Sequence, residues 1–153
     1  MTLGPVEVRL LSAADRAVLD HVDPDVFDHA IQPALAEQYL ATSGNLLAVA
    51  TVAGVVVGMA SAIAYVHPDK PLQLFINEVG VAERVRGQGI GKRLVRALQE
   101  QGRRMGCTEA WVATEVGNEA ARALYASLAG VEDEEHAVVY TGPLGDSFPP
   151  EAG

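Results

Sequence analysis

A glycine-rich turn between an apolar strand and an amphipathic helix constrains this sequence more than any other feature. The turn follows the nearly continuous apolar run 72–82 and precedes a helical pattern. Glycines permit a sharp reversal and leave the amides at the helix start uncovered. Those amides, the helix dipole and two flanking cations predict a site for an anion such as pyrophosphate. The residues of the turn are Arg86, Gly87, Gln88, Gly89, Ile90, Gly91 and Lys92.

Two other phosphate-binding motifs fit this turn poorly. A Walker A loop requires a glycine at position 86 and a serine or threonine at position 93, but both positions are arginines. A dinucleotide fingerprint requires Gly-x-Gly-x-x-Gly at the first strand–helix junction, whereas this turn has Gly-x-Gly-x-Gly late in the chain. A glycine turn without any ligand is the remaining alternative.

Hydrophobic periodicity around the turn predicts a mixed α/β or α+β fold with the element order βαα-ββ-β-α-β-α-β. Strands are predicted at 6–10, 46–52, 55–65, 72–82, 110–114 and 138–140. Helices are predicted at about 12–21, 34–40, 89–105 and from Asn118 to near Gly130. We expect one domain over residues 1–144 and a flexible tail over residues 145–153, where proline and glycine are frequent.

The charge of the chain is unevenly distributed. The net charge is −9, yet most of the eleven lysines and arginines lie in one short segment: Arg84, Arg86, Lys92, Arg93, Arg96, Arg103 and Arg104. An acidic surface repels nucleic acid and attracts cations. The single cysteine excludes an internal disulfide, and the sequence contains neither a secretion signal nor a membrane segment. We therefore expect a cytoplasmic protein without a metal centre.

The turn and a second segment together resemble the GNAT acetyltransferase superfamily. Arg86-x-x-Gly89-x-Gly91 is similar to the family's acetyl-CoA signature, and the segment from Asn118 to Tyr125 is similar to its second cofactor segment. The resemblance covers about residues 4–142. One departure is the sequence 129–131, Ala-Gly-Val, where the family usually has glycine followed directly by an aromatic residue.

The resemblance implies a mixed, mostly antiparallel sheet that is splayed between its fourth and fifth strands and flanked by about four helices. Acetyl-CoA would lie in the V-shaped opening between strands 72–82 and 110–114, and residues 86–92 would bind its pyrophosphate. Asn118 would contact the pantetheine arm, and Tyr125 would lie near the sulfur. The strand residues whose backbone would pair with the pantetheine are Val79, Gly80 and Val81.

Two side chains suit the chemistry of amine acetylation. Tyr125 lies two helical turns after Asn118 and is a suitable proton donor to a departing thiolate, although a core aromatic is the alternative. Glu78 is a charged residue in an apolar strand, where burial would raise its pKa and suit it to act as a base. A solvent-facing residue or a structural ion pair is the alternative for Glu78. Glu115 or a chain of water molecules could also take the proton.

A narrower resemblance concerns the acceptor. Residues 75–81 followed by 86–90 are similar to the aminoglycoside 3-N-acetyltransferases of the gentamicin–fortimicin type, in which an aspartate stands at position 78 and an acid matches Glu115. The resemblance implies acetylation of an aminoglycoside, a resistance function. Since aminoglycosides are polycations, a carboxylate-lined pocket is expected. Its candidate carboxylates are Asp25, Asp28, Glu78, Glu115, Glu134 and Glu135, and His29 could orient the substrate.

Other functions remain open from the sequence. Acetylation of a protein amine or a polyamine requires a similar cationic acceptor site. A non-catalytic acyl-CoA-binding module would keep the glycine turn but need neither Tyr125 nor Glu78. A homodimer is compatible with the resemblance, but no residue pattern indicates one.

Overall fold

A five-stranded sheet organises the part of the chain that the computed structural model describes, residues 4–145. The strands lie side by side in chain order, and every neighbouring pair is antiparallel except the fourth and fifth, which are parallel. Their bounds are β1 Glu7–Leu10, β2 Asn45–Val52, β3 Val55–Tyr65, β4 Gln73–Val81 and β5 Glu109–Val112. The predicted mixed, mostly antiparallel sheet is confirmed.

Three α-helices and two 3-10 helices accompany the sheet. The α-helices are α1 Pro33–Ala41, α2 Ile90–Met105 and α3 Glu119–Ser127, and the 3-10 helices are Ala13–Asp20 and Glu83–Val85. A helix was predicted at about 12–21, and the structure has the 3-10 helix Ala13–Asp20 there, with a capping box between Ser12 and Asp15. The chain after this helix is held to β3, because the N–H of Val56 donates to the carbonyl oxygen of His21 and the N–H of Asp23 donates to the carbonyl oxygen of Val56.

Helix α2 covers one face of the sheet and builds much of the core. Its buried residues include Ile90, Leu94, Val95 and Leu98. Gly58 of β3 lets α2 approach closely, because a Cβ there would lie only 3.2 Å from the side chains of Ile90 and Leu94. The sheet also has a bulge beside Gly58, since Ala50 pairs with Gly58 and the next residue, Thr51, pairs with Val56. No helix within residues 4–145 is long and apolar enough to cross a membrane.

The opposite face carries a segment that ties the N-terminal third of the chain to the end of β4. Val22 bridges to Val56 in β3, beyond the point where β4 ends. Asp25 then accepts a hydrogen bond from the backbone N–H of Glu83 at 2.7 Å, and Arg84 donates one to Asp23 at 2.7 Å. The segment 21–28 is therefore fixed beside the residues that lead into the glycine turn.

Strands β4 and β5 separate before β4 ends. Their pairing runs from Gln73 with Glu109 to Ile76 with Val112, whereas β4 continues to Val81. Residues 77–81 thus have no strand partner on the β5 side within the described part of the chain. The predicted splay between the fourth and fifth strands is confirmed.

The strand predicted at Val138–Tyr140 is wrong. Residues 131–145 have no regular secondary structure, and these three side chains are exposed. A strand needs a neighbour for its backbone hydrogen bonds, and among residues 4–145 none lies beside this segment. The domain boundary at residue 144 stays a prediction, and most of the predicted tail, residues 146–153, lies outside the described residues.

Replacing Gly80 by alanine is expected to lower the free energy of unfolding by about 1–3 kcal/mol, because overpacking displaces neighbours. A Cβ at Gly80 would overlap the backbone carbonyl oxygen of Val26, which cannot move as a flexible side chain can. Urea unfolding measures the change. Gly117→Ala is the matched control, since a Cβ there has no neighbour within 4 Å. Equal stability of the two variants would contradict the close contact.

Candidate functional site

The glycine turn is open to solvent, and the helix that follows it has no side-chain cap. Gly87 and Gly89 have φ angles of 79° and 76°, in the left-handed region that favours glycine. A Cβ at either position would meet no atom within 4 Å. Gly89 is the N-cap residue of α2, and no side chain caps the helix. The amides of the first turn of α2 are therefore available to an anion.

The cations beside the turn are available to the same anion. Arg86 donates from Nε to the carbonyl oxygen of Val81 at 3.0 Å, which holds its side chain over the end of β4. Within residues 4–145, neither Arg86 nor Lys92 forms an ion pair. Their charges are not neutralised by protein carboxylates, so both can contribute to binding a phosphate group.

Helix α3 meets the glycine turn and β4 at Gly91. A Cβ at Gly91 would lie 3.7 to 3.9 Å from side-chain atoms of Leu124, Val79 and Val81. The N-cap of α3 is Asn118, whose Oδ1 accepts a hydrogen bond from the N–H of Ala121 at 3.0 Å. That bond engages the amide oxygen of Asn118 and leaves its NH2 group as the donor for a ligand.

Tyr125 is half-buried on α3 and packs against the hydrophobic core. Burial raises the pKa of its phenol. A phenol is already protonated at neutral pH at its ordinary pKa, and the raised pKa of Tyr125 keeps it in that form, in which it can donate a proton.

A cavity of about 340 Å³ opens on the face of the sheet opposite α2. It brings together three residues that the sequence singled out, Asp28, His29 and Glu78. The rest of the wall is mostly apolar and comes from the N-terminal third of the chain and from β2 to β4. It includes Leu19, Phe27, Ile31, Leu35, Ala36, Tyr39 and Leu47.

A bulge in β4 directs two polar residues into this cavity. Ala62 of β3 pairs with Ile76, whereas the preceding residue Ser61 pairs with Glu78, so Asn77 is the extra residue. Both Asn77 and Glu78 line the cavity, which regular alternation along a strand would not allow. The sequence alone gives no sign of this bulge, since neither residue is glycine.

The carboxyl group of Asp28 affects the pKa of Glu78. Partial burial raises the pKa of Glu78, and the Asp28 carboxyl raises it further through charge repulsion and a hydrogen bond. The raised pKa makes the Glu78 carboxylate a better proton acceptor than an ordinary glutamate. A cation in the cavity would be attracted by both groups.

Tyr39 is a lining residue that the sequence analysis did not assign to the site. Its hydroxyl donates to the carbonyl oxygen of Leu46 at 2.6 Å, and burial raises its pKa to about 12. Its place depends on how α1 packs against the sheet, and no sequence pattern around it indicates a site. The phenol fixes α1, and with it the cavity wall, to the backbone of β2.

Four predicted acceptor residues lie outside the cavity. Asp25 accepts the hydrogen bond from the N–H of Glu83, Glu115 is between β5 and α3, and Glu134 and Glu135 are exposed in the segment after Gly130. None of the four lines the cavity. Their contact with an acceptor stays a prediction.

The family model described as Acetyltransferase (GNAT) family matches residues 14–130 of the chain. No curated protein is a significant match to the sequence.

Solved structures share the fold at low sequence identity. Aminoglycoside acetyltransferase meta-AAC0020 from an uncultured soil metagenomic sample, in complex with sisomicin, has a TM-score of 0.77 and 17% identity, with 91% of this chain and 97% of that chain covered. AAC(6')-Iy in complex with a CoA-S-monomethyl-acetylneamine bisubstrate analog has a TM-score of 0.74 and 22% identity, with 92% and 100% covered. The ribosomal-protein-alanine N-acetyltransferase from Brucella melitensis biovar Abortus 2308 has a TM-score of 0.67 and 21% identity, with 90% and 100% covered.

Glu78→Gln is expected to raise the free energy of unfolding at neutral pH. The folded-state pKa of Glu78 lies above its unfolded value, so the wild-type protein loses stability as the pH rises from the unfolded value through the folded one. Below the unfolded-state pKa of about 4.3, Glu78 is neutral in the folded and the unfolded wild-type protein, as glutamine is in the variant. The contribution of the Glu78 charge to the difference in unfolding free energy therefore disappears there. Urea unfolding of both proteins between acidic and neutral pH measures the effect.

The matched control for this experiment is Glu37→Gln, an exposed glutamate on α1. A stability difference for Glu78→Gln that does not grow with pH would show that the environment of Glu78 does not disfavour its charge.

Proposed function

The chain belongs to the GNAT family of acetyltransferases, and on that basis we propose that it transfers an acetyl group from acetyl-CoA directly to a primary amine of a cationic small molecule, with an aminoglycoside as the acceptor. The observation that carries the proposal is the pair of carboxyl groups, Glu78 and Asp28, in a cavity beside the strand that leads into the glycine turn. The two sites are thus joined by one strand, β4.

The cofactor half of the proposal rests on β4 and the turn that follows it. Among residues 4–145, Val79–Val81 have no strand partner on the β5 side, so backbone groups at this edge could pair with the amides of pantetheine. The carbonyl oxygen of Val81 already accepts a hydrogen bond from Arg86. The turn from Arg86 to Lys92, including Gln88, offers amides and cations to the pyrophosphate. Acetyl-CoA supplies an activated thioester carbonyl, and the protein residues position it and move the protons.

The acceptor half rests on Glu78. An amine is protonated at neutral pH and must lose a proton before it can attack a carbonyl. The raised pKa of Glu78 suits it to take that proton, and Asp28 beside it would hold the remaining positive charge of the acceptor. Because Glu115 does not line the cavity, the geometry favours Glu78 over Glu115 as the base.

The departing thiolate of CoA needs a proton from a second group. Tyr125 lies on α3, which meets β4 and the start of α2 at Gly91. As the C–S bond breaks, a protonated phenol there would donate to the sulfur while Glu78 holds the proton from the amine. The pair therefore provides a base and an acid on the two sides of the transferred acetyl group.

The proposal of an aminoglycoside acceptor is supported by the negative charge of the cavity and by solved structures of similar fold. Two carboxyl groups in one cavity suit an acceptor with more than one cationic amine. Two of the solved structures named above are aminoglycoside acetyltransferases. A third is a protein N-acetyltransferase, so a peptide amine is the second candidate acceptor.

The acceptor is tested by measuring CoA release in parallel with sisomicin, with spermidine and with a peptide that has an N-terminal alanine. We expect kcat/KM for the aminoglycoside to exceed the others by about tenfold or more, equivalent to ~1.4 kcal/mol in transition-state binding. NMR of the product would then distinguish 3-N from 6′-N acetylation. A preference for the peptide would overturn the acceptor class. Tight binding of CoA without turnover on any amine would instead indicate a non-catalytic module.

Tyr125→Phe is expected to lower kcat by about 10²–10⁴-fold, the usual contribution of a general acid, while the Kd for CoA changes little. Phenylalanine keeps the ring packed against the core and removes only the donor. Tyr140→Phe, which removes a fully exposed hydroxyl, is the matched control. Steady-state kinetics and calorimetric titration of CoA measure the two effects. An unchanged kcat in Tyr125→Phe would remove this residue from the proposed mechanism.

A further inference from the structure

A buried hydroxyl group lies on the sheet side of the cavity. Ser61 of β3 is the only buried polar residue within residues 4–145, with 8% of its surface exposed. Its cross-strand neighbours are Leu47 on β2 and Glu78 on β4, and all three residues line the cavity. Removing a hydroxyl from water is unfavourable unless it gains a hydrogen bond, so a serine at this position needs a partner.

The described part of the protein does not supply that partner. None of the side-chain hydrogen bonds formed within residues 4–145 involves the Ser61 hydroxyl. The neighbouring Glu78 carboxyl shares a hydrogen bond with Asp28 instead. Among the same residues, no fully buried side-chain oxygen or nitrogen lacks a hydrogen-bond partner. The unbonded Ser61 oxygen is therefore in contact with the cavity, where a ligand can reach it.

A second neutral polar group enters the cavity from the next strand. Asn77 is the extra residue of the β4 bulge, and its side chain lines the cavity beside that of Glu78. An amide can donate and accept hydrogen bonds, as a hydroxyl can. The strands thus contribute one carboxyl group and two neutral hydrogen-bonding groups to the cavity.

These two kinds of polar group recognise different features of a ligand. The carboxyl groups of Glu78 and Asp28 attract any cation, so they do not distinguish an amino sugar from a polyamine. A neutral group that donates and accepts is complementary to a hydroxyl, which does the same. The wall of the cavity is mostly apolar, which strengthens such hydrogen bonds. The neutral groups can therefore select among cations that the carboxyl groups treat alike.

The positions of Ser61 and Glu78 suit one ligand that carries both functional groups. The two residues lie directly opposite each other in the antiparallel pair of β3 and β4. Opposing Cβ atoms in such a pair are about 4.5–5.5 Å apart. A ring that bears an amine and a hydroxyl a few bonds apart can thus place its amine at Glu78 and its hydroxyl at Ser61.

We propose that Ser61 and Asn77 bind hydroxyl groups of the acceptor, and that the cavity selects amines of hydroxylated rings over polyamines of equal charge. The inference rests on the proposed function, because it names the acceptor class of the same cavity. Glu78 and Asp28 attract the amines, and Ser61 and Asn77 determine which cationic amine binds well. A polyamine would cover both neutral groups without bonding to them, which is unfavourable.

Neamine and spermine test this selection, because they carry the same number of amines and only neamine carries hydroxyls. Calorimetric titration of the full-length chain at one salt concentration gives the Kd of each amine. For Ser61→Ala we expect the Kd for neamine to rise about tenfold and the Kd for spermine to change by less than about twofold. An equal change for both amines, including no change for either, would overturn the proposal, as would a wild-type chain that does not bind neamine.

Asn77→Ala tests the second neutral group, and it should weaken the binding of neamine more than that of spermine. An unchanged Kd for neamine in this variant would overturn the role of Asn77. Thr51→Val is the matched control, since it removes a hydroxyl from β2 at a residue that does not line the cavity. Both Kd values should stay unchanged in the control.

Urea unfolding separates a ligand-binding role of Ser61 from a structural one. Because its hydroxyl has no hydrogen-bond partner within residues 4–145, Ser61→Ala should be at least as stable as the wild type. Lower stability together with weaker binding of both amines would show a structural role and contradict the proposal.

CoA release distinguishes a failure of this inference from a failure of the proposed function. If no amine supports turnover, acetyl transfer is overturned, and the comparison of Kd values still tests the hydroxyl contacts. If Ser61→Ala lowers kcat/KM equally for neamine and spermine, the hydroxyl selection is overturned and acetyl transfer stands.

Discussion

The contact between the segment 21–28 and the end of β4 is the constraint on which both halves of the candidate site depend. Gly80 lacks a side chain where the carbonyl of Val26 comes closest, and Asp25 bonds the amide of Glu83 just before the glycine turn. The same segment carries Asp28 into the cavity. One junction therefore sets the start of the glycine turn and one wall of the cavity.

The glycine turn and the cavity beside the carboxyl-terminal half of β4 carry opposite charge. The turn offers amides and the cations Arg86 and Lys92, which form no ion pair with any residue in 4–145, whereas the cavity offers the carboxyl groups of Glu78 and Asp28. An anionic cofactor and a cationic acceptor would thus each meet a complementary field and be repelled by the other's site. A net charge of −9 does not reveal this division, because the basic residues are concentrated in one short segment.

Local patterns in the sequence were sufficient for the five observed strands, for α2 and for the position of the glycine turn. Periodicity located β4 and α2 to within a residue or two, and glycine spacing located the turn, since these depend on neighbours in sequence. Tyr39 and the bulge at Asn77 could not be predicted, because both depend on contacts between distant segments. The strand expected at 138–140 failed for a related reason, since a strand-forming sequence cannot specify which edge is available.

The bulge at Asn77 has a consequence for how such a protein can diversify. It adds one residue to β4, yet Val79 and Val81 beyond it still face α2 and the start of the glycine turn. The alternation of side chains between the two faces of the sheet therefore restarts at the bulge. The side chains after it are oriented independently of those before it. Inserting or deleting one residue at this point could therefore remodel the wall of the cavity during evolution. The orientation of Val79 and Val81 toward α2 would stay the same.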